Sequence, residues 1–210
     1  VKPHIGVITN IGVAHMESLG SREGIFQAKM EIAKHIAGDD ELPGTLIYAS
    51  DSEFLTKEKT KGNYDQISVG EKGKDDYIIS SVDDFGMDGI KFTLEHAQEV
   101  RQISLPLPGR HNAINSALAV AVGDLLGVSP EEETDGLAAA DLTGNRLKRR
   151  ENDSICVIDD TYNASPDSMK SALRVLEHSR CDGKKIAILG DMYELGEDSD
   201  RQHFGVGLFA

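Results

Sequence analysis

Cysteine is scarce in this chain of 210 residues: Cys156 and Cys181 are the only two. Two thiols cannot build a disulfide framework, so a reducing cytoplasm is the expected compartment. Cys156 lies in an apolar run and is expected to pack as a small core residue. Basic residues are also under-represented, with 22 Lys and Arg against 36 Asp and Glu and a formal net charge of -14. A field of that sign repels phosphate backbones and argues against nucleic acid as a partner. It leaves room for a nucleotide, because a small ligand is held by local groups. No apolar run approaches the ~18 residues of a membrane span, so no membrane insertion is expected, and no signal peptide is visible. The sequon Asn152-Asp153-Ser154 therefore carries no weight. No Cys/His cluster has zinc spacing. The glycine- and lysine-rich residues 70–75 lack P-loop spacing and the Ser or Thr after the lysine. No serine sits in a nucleophile elbow.

What is present is an alternation of short β-branched runs and capped helices. Residues 4–11 read as a buried strand. A helix is expected from Ser21, a good N-cap, to about Ala37, with Gly38 as its stop. Ile25, Ile32 and Ile36 mark its apolar face, and the position completing their spacing is Lys29. Residues 45–106 turn β-rich, with strands at 46–49, 66–69 and 77–79 and two more joined through residues 86–89, the second at 90–94. Residues 111–126 read as a helix with Ile114, Leu118, Ala121 and Leu125 buried. Ser129-Pro130-Glu131-Glu132 opens another. Residues 144–151 are polar and basic and read as a linker. Beyond it, a strand at 155–158, a helix from Ser165 with Met169, Leu173 and Leu176 inward, and a strand at 185–189 imply a right-handed parallel crossover. The chain opens at Val1 without a methionine and stops inside a helix-like stretch, residues 201–210. A fragment of a longer protein is therefore expected.

Four segments carry candidate chemistry. Asn10-Ile11-Gly12-Val13-Ala14-His15 follows the carboxyl end of a strand, where ligands sit in open α/β sheets. His15 alone is more often a surface residue and Lys29 alone more often snorkels. Facing one cleft, they gain meaning: a partly desolvated lysine loses its charge more readily, and a neutral amine reacts with carbon dioxide to give a carbamate, an oxygen ligand suited to magnesium. Gly109-Arg110-His111-Asn112-Ala113-Ile114-Asn115 puts two asparagines on one face of a helix's first turn. They offer the donor and acceptor mixture an adenine edge needs, although helix capping by Asn112 and a solvated Asn115 would explain them as well. Arg146 in the linker could reach phosphates or be a solvated hinge charge. Asp159-Asp160-Thr161-Tyr162-Asn163 lies between a strand and a capped helix. Its acids could take a ribose hydroxyl or a metal, or its residues could simply be turn chemistry. Residues 190–196 follow the next expected strand on the same side.

Taken in order, these segments resemble the Mur ligases, the ATP-dependent enzymes that build the peptidoglycan stem peptide. The resemblance covers nearly the whole chain and is weakest between about residues 39 and 101. It implies an α/β fold in two parts. Residues 1–148 would be the central ATPase domain without its P-loop part, a parallel sheet with helices and a β-rich extension. Residues 149–210 would begin a Rossmann-like C-terminal domain, truncated. Within the family, residues 159–169 and 190–196 look like the member that joins D-alanyl-D-alanine to UDP-N-acetylmuramoyl-tripeptide. The resemblance further implies that His15 and a carbamylated Lys29 serve Mg2+ and that Asn112 and Asn115 lie at the adenine of ATP. It places Arg146 on the phosphates and Asp160 near the ribose, with Tyr162 and Asn163 in the adenine neighbourhood. The fragment alone would be inactive. Rival readings are a sibling ligase of the folylpolyglutamate or tripeptide type, a metal-dependent hydrolase built on His15 and Lys29, and a non-catalytic nucleotide-binding module.

Overall fold

The computed structural model describes residues 2–13, 16–152 and 154–210. Its centre is a six-stranded sheet in the order β1 (Ile5–Ile8), β2 (Thr45–Ala49), β3 (Asp65–Gly70), β4 (Tyr77–Asp84), β5 (Ile90–His96) and β6 (Glu99–Leu105). The first four strands run parallel; β4, β5 and β6 are antiparallel neighbours. The mixed α/β class and the β-rich extension are therefore as the sequence implied.

β2 is buried along its whole length, as a parallel strand covered on both faces must be. Its side chains alternate between two cores. Leu46 and Tyr48 join Ile8, Ile25, Phe26 and Ile36 on one face. Ile47 and Ala49 join Phe92, Leu94 and the helix α3 (His111–Leu125) on the other. α3 turns Ala113, Ala117 and Ala121 inward with Leu118 and Val120, and side chains this small let it lie close on the sheet. Ile114 and Leu125, expected inside, are partly buried at the margin.

The first helix departs from expectation in length and phase. A short helix α1 (Met16–Leu19) precedes α2 (Arg22–Met30), whose N-cap Ser21 accepts from the Gly24 amide. The chain then tightens into a 3-10 turn at Glu31–His35. With three residues per turn the buried phase shifts: Ala33 goes inside, while Ile32 is 40% exposed. Gly38 is not a left-handed cap. A Cβ there would lie 2.3 Å from the Gly44 backbone nitrogen, so Gly38 marks two backbones passing closely.

α4 (Pro130–Ala138) and α5 (Pro166–His178) both open on a capping box with proline in the first turn. The presumed linker is partly a strand: β7 (Lys148–Glu151) pairs antiparallel with β8 (Cys156–Asp159). Cys156 is exposed there, contrary to expectation. In α5 it is Val175 that is fully buried, and Met169 and Leu173 pack partly buried on Met192, Leu195 and Val206. Residues 185–189 form no strand, so the expected parallel crossover is not made. β8 pairs with β7, and Ile186 and Ile188 stand 73% and 94% exposed; a strand without a ladder partner is not stable. The last helix is α6 (Ser199–Phe209).

Candidate functional site

The carboxyl ends of the parallel strands set the first cluster. After β1 the chain passes Asn10, and α2 delivers Lys29 to it. Lys29 Nζ donates to Asn10 O at 2.8 Å and to Asn10 Oδ1 at 3.0 Å. Lys29 lies four residues on from Ile25, where the helix face meets this loop rather than the core. Partial desolvation lowers its pKa, which favours the neutral amine. Arg22 holds the same loop by donating to Ile11 O at 3.1 Å while pairing with Glu53. His15 lies outside the described residues. The donor chemistry fits a hard cation in part: two oxygens of Asn10 face the Lys29 nitrogen, and a carbamate there would add more oxygen. Among the described residues no three His, Cys, Asp or Glu side chains are grouped to hold a metal.

The second cluster is the first turn of α3. Gly109 enters it with φ +92, a backbone favourable to glycine, and a Cβ there would strike the His111 ring at 2.7 Å. Asn112 is buried and is not the N-cap. Its Nδ2 donates to Pro108 O at 2.8 Å, and its Oδ1 accepts from Asn115 Nδ2 at 3.1 Å. The two amides thus orient each other.

The third cluster gathers around Arg146. Its guanidinium lies 4.2 Å from the centre of the Tyr162 ring, a cation–π distance. The Tyr162 amide donates to Asn145 O, and Asp160 Oδ1 accepts from the Leu147 amide at 3.1 Å. Leu147 is held in the left-handed region, φ +47, a strain that the surrounding bonds must sustain. Burial raises the Asp160 pKa, with Arg146 and His111 pulling it down. Desolvation lowers that of His111 against the pull of Asp160 and Asp84. The charges of His111 and Asp160 act on each other in opposite senses, which couples the second cluster to the third. Asn163 turns to its own backbone, accepting from the Ala164 amide.

The first cluster approaches α5: a Cβ on Gly12 would lie 3.5 Å from Asp167 Oδ2. No hydrogen bond among the described residues joins Lys29 to the Arg146 cluster. Sequence reasoning gave no role to Asn10, although it was within a quoted motif, because an amide acquires a role only through its partner. His111 was passed over for the same reason.

Comparison with known proteins gives a consistent picture. The Mur ligase middle domain matches residues 1–123, and the Mur ligase glutamate ligase domain matches residues 145–208. The UDP-N-acetylmuramoyl-tripeptide--D-alanyl-D-alanine ligase of Bacillus subtilis is 38% identical over 205 residues, covering 96% of this chain and 42% of the relative. A crystal structure of MurF from Acinetobacter baumannii superposes with a TM-score of 0.87 at 35% identity, over 99% of this chain and 44% of that one. MurF ligase from Thermotoga maritima in complex with ADP gives 0.82 at 28% identity, over 100% and 47%. The chain therefore spans less than half the length of each of these proteins.

Proposed function

The chain belongs to the Mur ligase family, and from that premise we propose that it is part of an ATP-dependent ligase joining D-alanyl-D-alanine to UDP-N-acetylmuramoyl-tripeptide in the cytoplasm. The single observation that carries the nucleotide half of this reading is the packing of the Arg146 guanidinium on the Tyr162 ring, with Asp160 accepting from the adjoining Leu147 amide. The acceptor half rests on the named relatives, which are D-alanyl-D-alanine ligases at 38% identity and below.

A carboxylate is a poor electrophile. ATP supplies the phosphoryl group that makes it an acyl phosphate, which the dipeptide amine attacks with loss of phosphate; a bound Mg2+ would supply positive charge to offset the charge gathered there. Arg146 contributes a planar cation suited to phosphate oxygens. Asp160 offers a carboxylate acceptor for a ribose hydroxyl. Asn112 and Asn115 provide oriented amides for a purine edge, and Tyr162 and Asn163 are further candidates for the adenine neighbourhood. Lys29, as its carbamate, and His15 would serve the metal. The division into domains at residues 1–148 and 149–210 is part of the same proposal and falls at the first residue of β7.

The test is ADP release by the full-length protein with UDP-N-acetylmuramoyl-tripeptide, with and without D-alanyl-D-alanine. Release that requires the dipeptide is expected. Release with glutamate or a single amino acid instead would make it a sibling ligase. No turnover with any carboxylate and amine pair would leave a nucleotide-binding module.

A further inference from the structure

Residues 190–196 do more than border a cleft. Met192 and Leu195 are buried at 3% and 5% and pack with Val206 of α6 and with Met169 and Leu173 of α5. At the far side of the loop Glu194 adopts φ +61 and Gly196 φ +62. The Glu194 carbonyl accepts the Glu17 amide of α1 at 3.2 Å. The loop thus reaches from the C-terminal α/β segment to the helix that directly follows residue 15.

Its base is held by one ring on α6. His203 Nε2 lies 2.6 Å from Asp191 Oδ1, and His203 Nδ1 lies 2.8 Å from the Ser199 carbonyl. A backbone carbonyl only accepts, and so does an ionised carboxylate. A neutral imidazole can satisfy one of them and an imidazolium satisfies both. The Met192 amide is 3.1 Å from Asp191 Oδ1 and 3.1 Å from His203 Nε2; with Nε2 protonated, it donates to the carboxylate. The charged ring therefore completes every bond at the base of the loop.

We propose that His203 is a positioning residue whose imidazolium holds residues 191–196 in the shape that docks on α1, so that one proton sets how firmly the C-terminal segment is attached there. Its surroundings favour the charged form. The Ser199 carbonyl raises the His203 pKa most, and Asp191 on the loop and Asp200 on α6 add to it against desolvation. From α5 the neighbours of the loop are the apolar Met169 and Leu173. From α1, Glu17 lines a cleft of about 390 Å³ together with Asp191 and Glu194, and adds further negative charge. On α6, Arg201 pairs with Asp198 at 2.9 Å, and on α5 Arg174 lies over the Phe209 ring. Because the folded pKa is raised, the stabilisation is complete below the ordinary imidazole value of about 6.5 and is lost as pH rises through the folded value.

The Glu17 amide reports this at a distance from the ring. Its hydrogen-exchange protection factor would be measured in the full-length protein from about pH 5 to about pH 9, alongside the 15N shifts of the His203 ring. Protection is expected to fall by about ten-fold as the ring loses its proton, the scale of one charge-assisted hydrogen bond. In Asp191→Asn the drop moves to lower pH together with the ring's midpoint. In His203→Leu protection is low and does not titrate. Protection that stays flat through the ring's titration in the wild type overturns the proposal, and so does an unchanged pH profile in His203→Leu. The wild-type titration decides the matter even where the leucine variant folds poorly.

Discussion

Lys29 is a cation whose nitrogen lies between two oxygens of Asn10, and desolvation favours its neutral form. Carbamate formation consumes the free amine, so its extent rises with pH, and the lowered pKa brings that rise to lower pH than for an ordinary lysine. With 13C-bicarbonate, a carbamate carbon signal is expected in the wild type that grows with pH and is missing in Lys29→Arg. The same variant is expected to lose about a hundred-fold or more in kcat, since a guanidinium cannot take the place of an anionic oxygen ligand; a near-normal kcat would remove Lys29 from the metal site. Arg146 makes a different kind of contact. Its plane rests on Tyr162, so Arg146→Ala is expected to raise the KM for ATP by about ten-fold or more. Arg146→Lys should recover little, because an ammonium lacks the fork and the plane; full recovery would reduce the arginine to a point charge. The sequence showed Lys29 as an anomaly in an apolar stripe, a local signal. It could not show Asn10 as its partner or Asp160 as the acceptor of the Leu147 amide, because those pairings exist only once separate elements meet.

Between elements, the firmest polar junction lies away from the candidate site. Arg101 of β6 reaches Glu133 of α4 at 2.7 Å and Asp124 of α3 at 3.2 Å, and Tyr77 of β4 donates to the same Asp124 at 2.8 Å. The Glu133 side chain is 7% exposed, and burial raises its pKa. Arg101→Met removes the cation and leaves two acids facing each other in a partly dry place. A loss of about 3 kcal/mol in urea unfolding is expected. The double variant Arg101→Met, Glu133→Leu should regain much of it, because no charge is then left buried without its partner. Equal losses in the single and double variants would show that the pair matters only as packing. The helices and central strands of this junction were legible in the sequence, since caps, glycines and β-branched runs are local signals. β6 was not. Its hairpin turns on Ala97 and Gln98 at φ +47 and +79, residue types that do not announce a turn. Residues 185–189 failed in the opposite sense. Their pattern is strand-like, but a strand is completed by a partner that its own residues do not specify.

Across the whole molecule, a net charge of -14 coexists with an apolar surface on the C-terminal segment. Ile188 is 94% exposed, Ile186 73%, Ile155 62% and Val157 49%. Residues 185–189 make no ladder hydrogen bonds, so they offer open amides and carbonyls flanked by β-branched side chains, which is a template for pairing with a second copy. The net charge opposes that encounter at long range and salt screens it. This 210-residue chain is therefore expected to self-associate in sedimentation velocity, increasingly as salt rises. Two substitutions separate the causes. Ile188→Glu removes an apolar contact and adds negative charge, whereas Ile188→Lys removes the same contact and lowers the net negative charge. If apolar strand pairing drives association, both variants shift the population toward monomer. If charge balance governs it, the glutamate variant dissociates while the lysine variant associates more strongly. A wild-type chain that stays monomeric at every salt concentration would mean that residues 185–189 are shielded in solution despite their exposure in the fold.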